Sequence, residues 1–266
     1  MDKKTFNTSV NGVNFYCEMR GNGPTMVLIP DGSNDCEPYD DLSKLLASDF
    51  TVLTFDMRGG SRSLDPNPKG LSPKVLADDV AGIITSLNLG PASIYGCSSG
   101  GQAALALGKY HPNLVKNLMV HEAALQADAP LENSGFAFFE NYGTFGEVVN
   151  EVSPMTVWSV GNLEKWRALG DECHKRIEEN GAFWSKYYLG FVDKDVYSED
   201  DFKKMPPTSF SVGAWTPSWL VYANIVTAQR GNCPVTWLNC AHHPEIVCPE
   251  ELATYIRNCS KEYVNI

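Results

Sequence analysis

The chain has 266 residues, 43% of them hydrophobic, and a formal charge of −11 at neutral pH. It can bury a large core, but such an acidic surface excludes nucleic acid and anionic membranes, which need clustered Lys and Arg. There is no apolar run of about 18 residues, which excludes a membrane span, and no apolar stretch follows Met1–Phe6, so a cytoplasmic protein is expected.

In chain order, Asn11-Gly12 predicts a hairpin over Thr8–Cys17. Thr25–Ile29 and Phe50–Phe55 are continuous apolar runs of the kind that form buried strands, the first ending in Pro30-Asp31-Gly32. Helical spacing runs over Pro73–Ile84. A strand at Ala92–Tyr95 then leads into the small-residue helix Gly101–Leu107. Further strands are expected at Val115–Val120, Ser209–Val212 and Val235–Leu238. A last helix, Pro249–Ile256, has proline in its first turn and acids near its N-terminus. Strands alternating with helices predict an α/β fold with a mostly parallel central sheet flanked by helices. Residues 1–124 and 206–266 form its core. Residues 125–205 lack a buried-strand pattern, are rich in aromatics and are expected to form a helical cap over the strand ends, with most of those aromatics as its own core. The eight cysteines are scattered singly, with no C-x-x-C pair, which fits reduced thiols better than disulfides or zinc.

Gly96-Cys97-Ser98-Ser99-Gly100 is a G-x-S-x-G motif between a strand and a helix. In that setting the serine sits on a tight turn with its hydroxyl above the sheet, and the glycines relieve clashes with neighbouring backbone. The plainer reading is a strand-to-helix turn with Ser98 as a helix cap. A base and an acid must be found to decide.

Five histidines can supply the base. His111 lies at the far end of the helix after Ser98, and His174 lies on the cap. His121 directly precedes Glu122 at a strand end, where alternation lets only one of the two point inward. His242 and His243 follow the last strand, where a base can reach back over Ser98, and both stay open on position alone. The acid is expected after the penultimate strand, yet Gly213–Trp219 contains no carboxylate. Glu122, one strand earlier, fills the vacancy, and its extra methylene helps it span the distance. An oxyanion would be held by the N–H groups of Ser99 and Gly32. No metal or organic cofactor is required.

Several stretches together resemble the fungal zearalenone lactonases, a branch of the α/β-hydrolase superfamily. These are Val27–Gly32, Gly96–Gly100, His121-Glu122, Trp166–Glu172, Asn224–Ala228, and His242 with Pro244. The resemblance implies an α/β-hydrolase fold, a Ser98–Glu122–His242 triad and an oxyanion hole at Gly32 and Ser99. It also implies Asp31, Met155, Trp184, Val221 and His243 as substrate contacts, a small-molecule resorcylic macrolactone as substrate, and a dimer. Where the family has an aromatic residue, this chain has His243. An esterase for other bulky aromatic esters, or a lactone receptor with little turnover, are the alternatives. Dehalogenases and epoxide hydrolases of this fold need an acid where Ser98 stands.

Overall fold

Alternating residues of single strands face two separate helical layers, which is how the sheet is covered on both sides. The computed structural model describes residues 2–125, 159–188 and 196–265. In β3 (Thr25–Ile29), Val27 and Ile29 join one hydrophobic cluster, while Met26 and Leu28 join the other. β4 (Thr51–Phe55) divides the same way, Leu53 and Phe55 against Val52. In β5 (Ala92–Cys97) Ile94 faces the first cluster, Tyr95 and Cys97 the second. β6 (Val115–His121) repeats the division with Leu118 and Val120 against Met119. The first cluster is closed by α2 (Pro73–Ser86), α3 (Ser99–Tyr110) and α7 (Ser218–Arg230). The second is closed by α1 (Asp40–Leu46) and α9 (Pro249–Ser260). Each fully buried aliphatic side chain stabilises the fold by roughly 1.5–3 kcal/mol.

Among the described residues eight strands run in the order β1-β2-β4-β3-β5-β6-β7-β8, where β1 is Lys4–Val10, β2 Val13–Arg20, β7 Thr208–Gly213 and β8 Val235–Leu238. The β1–β2 and β2–β4 pairs are antiparallel; β4 through β8 are parallel. The predicted hairpin is present but longer, turning at Asn11 (φ 49°) and Gly12 (φ 80°). Helices α1 and α7 go beyond the elements expected from the sequence, and α8 (Pro244–Val247) is a further short one. Chain order along the sheet reverses at β3 and β5, and the C-terminal ends of these strands are where a doubly wound sheet opens a crevice.

Within the insertion after β6, the described residues form α4 (Leu163–Arg167), α5 (Asp171–Tyr187) and α6 (Glu199–Phe202), with no strand among them. One face of α5, running on into the next residue, docks on the core at four-residue spacing. Arg176 pairs with Asp35 (2.7 Å) and Glu37, and Asn180 donates to the Ser33 carbonyl at 2.7 Å. Trp184 donates to Ser99 Oγ at 3.0 Å, and the Tyr188 hydroxyl to the Arg58 carbonyl at 2.8 Å. Residues i and i+4 lie on one helix face, so α5 binds the β3–α1 and β4–α2 loops as one strip. No described helix is long and apolar enough to cross a membrane.

Packing of α3 against β3 depends on Gly100. A Cβ there would lie 2.3 Å from the Pro30 carbonyl oxygen and 2.4 Å from that of Ile29. Both obstacles are backbone, so neither can swing aside. Gly100→Ala is expected to destabilise the fold by ~3 kcal/mol or more, read as a lower midpoint in urea unfolding.

Candidate active site

Ser98 closes β5 and opens α3 with φ 53° and ψ −116°, a conformation side chains rarely adopt. The strain is held in place on both sides. Its N–H donates to the His121 carbonyl at 3.0 Å, and its own carbonyl accepts from Gln102 (3.1 Å) and Ala124 (3.2 Å). A Cβ at Gly96 would lie 2.2 Å from the Gly100 carbonyl oxygen, so both glycines of the motif are sterically required. Ser98 remains partly exposed, whereas Ser99 is buried as the first residue of α3. The Ser99 N–H is one of the helix's first four, which have no partner within the helix, and it lies at the positive end of the helix dipole.

Glu122 sits one residue beyond β6, fully buried, with φ 41°. Oε1 accepts the Gly213 N–H at 2.6 Å, and Oε2 accepts the Thr216 hydroxyl at 3.1 Å. Both donors lie at the end of β7 or in the loop after it, where the sequence has no acid. That loop supplies hydrogen bonds to a carboxylate arriving from β6. Burial pushes the Glu122 carboxyl up, but the His121 and His242 imidazoles and the Gly213 N–H outweigh it and hold it below its ordinary value. The backbone beyond Glu122 is pinned as well: Gln102 Nε2 donates to the Ala124 carbonyl at 2.7 Å, and Asn224 Nδ2 to that of Ala123 at 2.9 Å.

His242 Nδ1 lies 2.6 Å from Glu122 Oε2. An ionised carboxylate can only accept, so Nδ1 carries the proton and Nε2 is the basic atom of the neutral imidazole. The Cys97 thiol donates to the His242 carbonyl at 3.5 Å, which sets this loop beside the nucleophile turn. Of the two histidines left open by position, His242 is the one bonded to Glu122. His111 bonds Asp78 on α2 at 2.8 Å, and His174 on α5 bonds the Trp166 carbonyl of α4 at 2.8 Å.

The expectation for His121 needs correction. Strand alternation predicts that only one of His121 and Glu122 points inward, yet both are fully buried, with His121 Nε2 3.7 Å from Glu122 Oε2. The positive φ at Glu122 takes it out of strand geometry, so alternation no longer separates the two. Burial lowers the His121 imidazole to about 4, against the pull of Glu122, so it is neutral at physiological pH.

The other expected contacts are placed as follows. Gly32 lies under Trp184, whose Nε1 would be 2.8 Å from a Cβ there. Asp31 is buried, its Oδ1 accepting the Ser33 N–H at 2.6 Å and its Oδ2 the Tyr39 hydroxyl at 3.2 Å. His243 is buried with Nδ1 2.8 Å from Glu245 Oε1. Val221 is buried in the first turn of α7. Met155 lies outside the described residues. Sequence reasoning missed Gly213 and Thr216, since a backbone N–H and a hydroxyl carry no motif. It also missed Arg176 and Asn180, which the four-residue spacing to Trp184 could have revealed.

Ligand-type atoms of Cys97, His121 and His242 lie within 4.8 Å of one another, as do those of Cys97, His243 and Glu245. Burial holds the Cys97 thiol well above its ordinary value, and Nδ1 of His242 is already bonded to Glu122. A metal would have to displace both arrangements. The groups present are instead suited to activating a serine.

The pattern of the alpha/beta hydrolase fold family matches residues 24–198. A zearalenone hydrolase of Bionectria ochroleuca is 31% identical over 261 residues, covering 96% of each chain. A second, from Cladophialophora bantiana, is 31% identical over 258 residues, covering 96% of this chain and 95% of its own. Among solved structures, the enol-lactonase from Burkholderia xenovorans LB400 superposes with a TM-score of 0.73 at 17% identity, over 96% of this chain and 98% of its own, which speaks for the fold alone.

Proposed function

This chain belongs to the alpha/beta hydrolase family, in its zearalenone hydrolase-like branch, and from that premise we propose that it opens the ester of a resorcylic macrolactone by serine catalysis. The observation that carries the reading is the 2.6 Å contact between His242 and the displaced acid Glu122, on a fold that sets Ser98 at the head of α3. Coarser support, for a hydrolase of lactones or esters, comes from the two zearalenone hydrolases.

Ser98 Oγ attacks the lactone carbonyl carbon as His242 Nε2 takes its proton. Glu122 keeps the imidazole in the right tautomer and stabilises the imidazolium. The oxyanion meets the N–H groups of Ser99 and Gly32. Collapse breaks the ring C–O bond, and His242 returns the proton to the leaving alkoxide, which stays tethered as a hydroxyl on the acyl-enzyme. Water, deprotonated by His242, then attacks the acyl carbonyl; the bond to Ser98 Oγ breaks, His242 returns the proton to Oγ, and the hydroxy acid leaves. Every proton is moved by a side chain. The same reading makes the protein a cytoplasmic homodimer with residues 125–205 as its cap.

Incubation with zearalenone and with p-nitrophenyl acetate tests the substrate. Ring-opened acid formed faster than simple aryl esters are cleaved supports the proposal. Turnover of aryl esters alone would make the protein a carboxylesterase, and binding without turnover a receptor.

Trp184 links α5 to the head of α3, because its indole N–H is given to Ser99 Oγ. Its contribution to a bound lactone is then the flat ring face. Trp184→Phe removes one hydrogen bond and is expected to destabilise the protein by ~1 kcal/mol, seen in denaturant unfolding. Trp184→Ala should raise KM far more for a bulky aromatic lactone than for p-nitrophenyl acetate. Equal losses on both, with a lower Tm, would leave Trp184 a packing residue only.

A further inference from the structure

Beside the triad lies a second buried set of charges that the reaction just described does not use. His243 is packed with Asp31 of the β3–α1 loop and with Glu245 of α8, all three almost wholly buried. Its Nδ1–H donates to Glu245 Oε1 at 2.8 Å and lies 3.5 Å from Asp31 Oδ2. The remaining bonds of Asp31 shape its own turn: besides the Ser33 N–H and Tyr39 hydroxyl on its carboxylate, its carbonyl accepts the Asn34 N–H at 3.0 Å. Gly32 sits inside that turn. On the other side, the His243 N–H donates to the Ser159 carbonyl at 3.1 Å. One residue therefore joins the loop carrying Gly32, the loop carrying His242, and the insertion.

The cavity lined by Asp31, Ser33, Ser159, Trp166, Ile177 and His243 measures about 10 Å³, room for about one water. Ser33 Oγ and Ser159 Oγ are buried without a partner among the described residues, polar groups suited to such a water. Burial pushes the His243 imidazole down, but the Asp31 and Glu245 carboxylates outweigh it and raise it to about 10. Burial pushes Asp31 up, yet His243 and the Ser33 N–H hold it well below the usual carboxylate range. The Glu245 carboxyl is raised by burial. Tyr39, Tyr95 and Cys97 also face this cluster; burial raises all three well above their ordinary values, and His121 is lowered to about 4. These four are neutral at physiological pH. The His242 ring stands edge-on to His243 at 5.0 Å.

We propose that His243 and Asp31 are positioning residues, their ion pair, braced by Glu245, holding the Asp31–Gly32–Ser33 turn where the Gly32 N–H meets the oxyanion. This rests on the serine-hydrolase reading and concerns a different atom set from the triad. The bonds of these side chains to one another and to the Ser33 N–H are what a positioning role requires.

The test uses His243→Gln, Asp31→Asn and the double variant, assayed on p-nitrophenyl acetate and by the rate at which a fluorophosphonate labels Ser98. Both probes need the oxyanion hole but not the lactone. Each single variant is expected to lower kcat and the labelling rate about tenfold, with KM changed less than about twofold. The double variant should be no worse than the poorer single one, because one interaction is lost in all three. Folded His243 binds its proton more tightly than the unfolded residue does. Its contribution to stability is therefore complete below its ordinary value of 6.5 and lost as pH rises towards about 10, so the Tm gap between wild type and His243→Gln should narrow over that span. Tyr39→Phe removes one bond to Asp31 and keeps the ion pair; it should lower kcat about twofold to threefold, and it serves if the other variants fail to fold. A raised KM with kcat intact, or losses that multiply in the double variant, would overturn the proposal. A wild type that neither cleaves the ester nor labels at Ser98 would sink the serine-hydrolase reading, and this one with it. Variants that label as fast as a reactive wild type would sink this one alone.

Discussion

Ser98→Ala is expected to lower kcat by about four to six orders of magnitude while lactone binding is retained. The substitution removes one oxygen from a partly exposed residue and leaves the backbone bonds of the turn in place. The bonds that hold this turn run through the Ser98 backbone, to His121, Gln102 and Ala124, and none requires the hydroxyl. Alanine must still adopt φ 53°, which serine already endures, so the variant should unfold close to the wild-type midpoint. Fluorophosphonate labelling should vanish along with turnover. Substantial lactone or ester hydrolysis by Ser98→Ala would mean that another group attacks the carbonyl, and the mechanism proposed for this fold would have to be abandoned. Calorimetric binding of zearalenone to the variant separates lost chemistry from a lost pocket.

What could be read in the chain beforehand follows the range of the physics involved. The strand and helix around Ser98 are local, and their residues specify them: an apolar run, two glycines that backbone neighbours demand, and a helix of small residues. The expectation that Glu122 supplies the acid rests on a vacancy after β7, and the structure shows what fills that vacancy. Gly213 and Thr216, standing where the acid is missing, donate to the carboxylate from β6. Neither donor can be recognised in sequence, since any non-proline residue has an N–H and any serine or threonine a hydroxyl. The pairing of His243 with Asp31 was equally hidden, because its partners lie 212 and two positions away and meet only when the β3 and β8 loops converge. His121 departs from the alternation rule for a different reason. The alternation rule holds within a strand, and the chain leaves strand geometry at Glu122. Helix α7 escaped notice because Pro217 precedes it without a side-chain cap, and its buried residues, among them Asn224 and Thr227, are not uniformly apolar.

Glu122→Gln should lower kcat by about four orders of magnitude, although it changes the side chain's shape almost not at all. The carboxylate accepts three hydrogen bonds: Gly213 N–H on Oε1, and the Thr216 hydroxyl and His242 Nδ1–H on Oε2. A glutamine amide has one oxygen and one NH2, so one side of this set must fail. With its NH2 towards Gly213, two donors face each other at a distance now 2.6 Å, and the buried N–H loses its acceptor. With its NH2 towards His242, Nδ1 must become the acceptor, the proton moves to Nε2, and the base facing Ser98 is lost. Restoring an acid at the end of β7 is no remedy, because a Cβ at Gly213 would lie 2.5 Å from the Ala241 carbonyl oxygen. Glu122→Asp draws the carboxylate back by one methylene and should fall between wild type and Gln. Stability carries a second signature with a fixed sign. The folded carboxyl titrates below its ordinary value, so its contribution is present above the ordinary carboxylate range and lost as pH falls through the lowered value. The Tm difference between wild type and Glu122→Gln should therefore be largest near neutrality and shrink in acid. A Glu122→Gln enzyme that retains wild-type kcat at neutral pH would show that His242 is oriented without Glu122, and the acid of this site would have to be sought elsewhere.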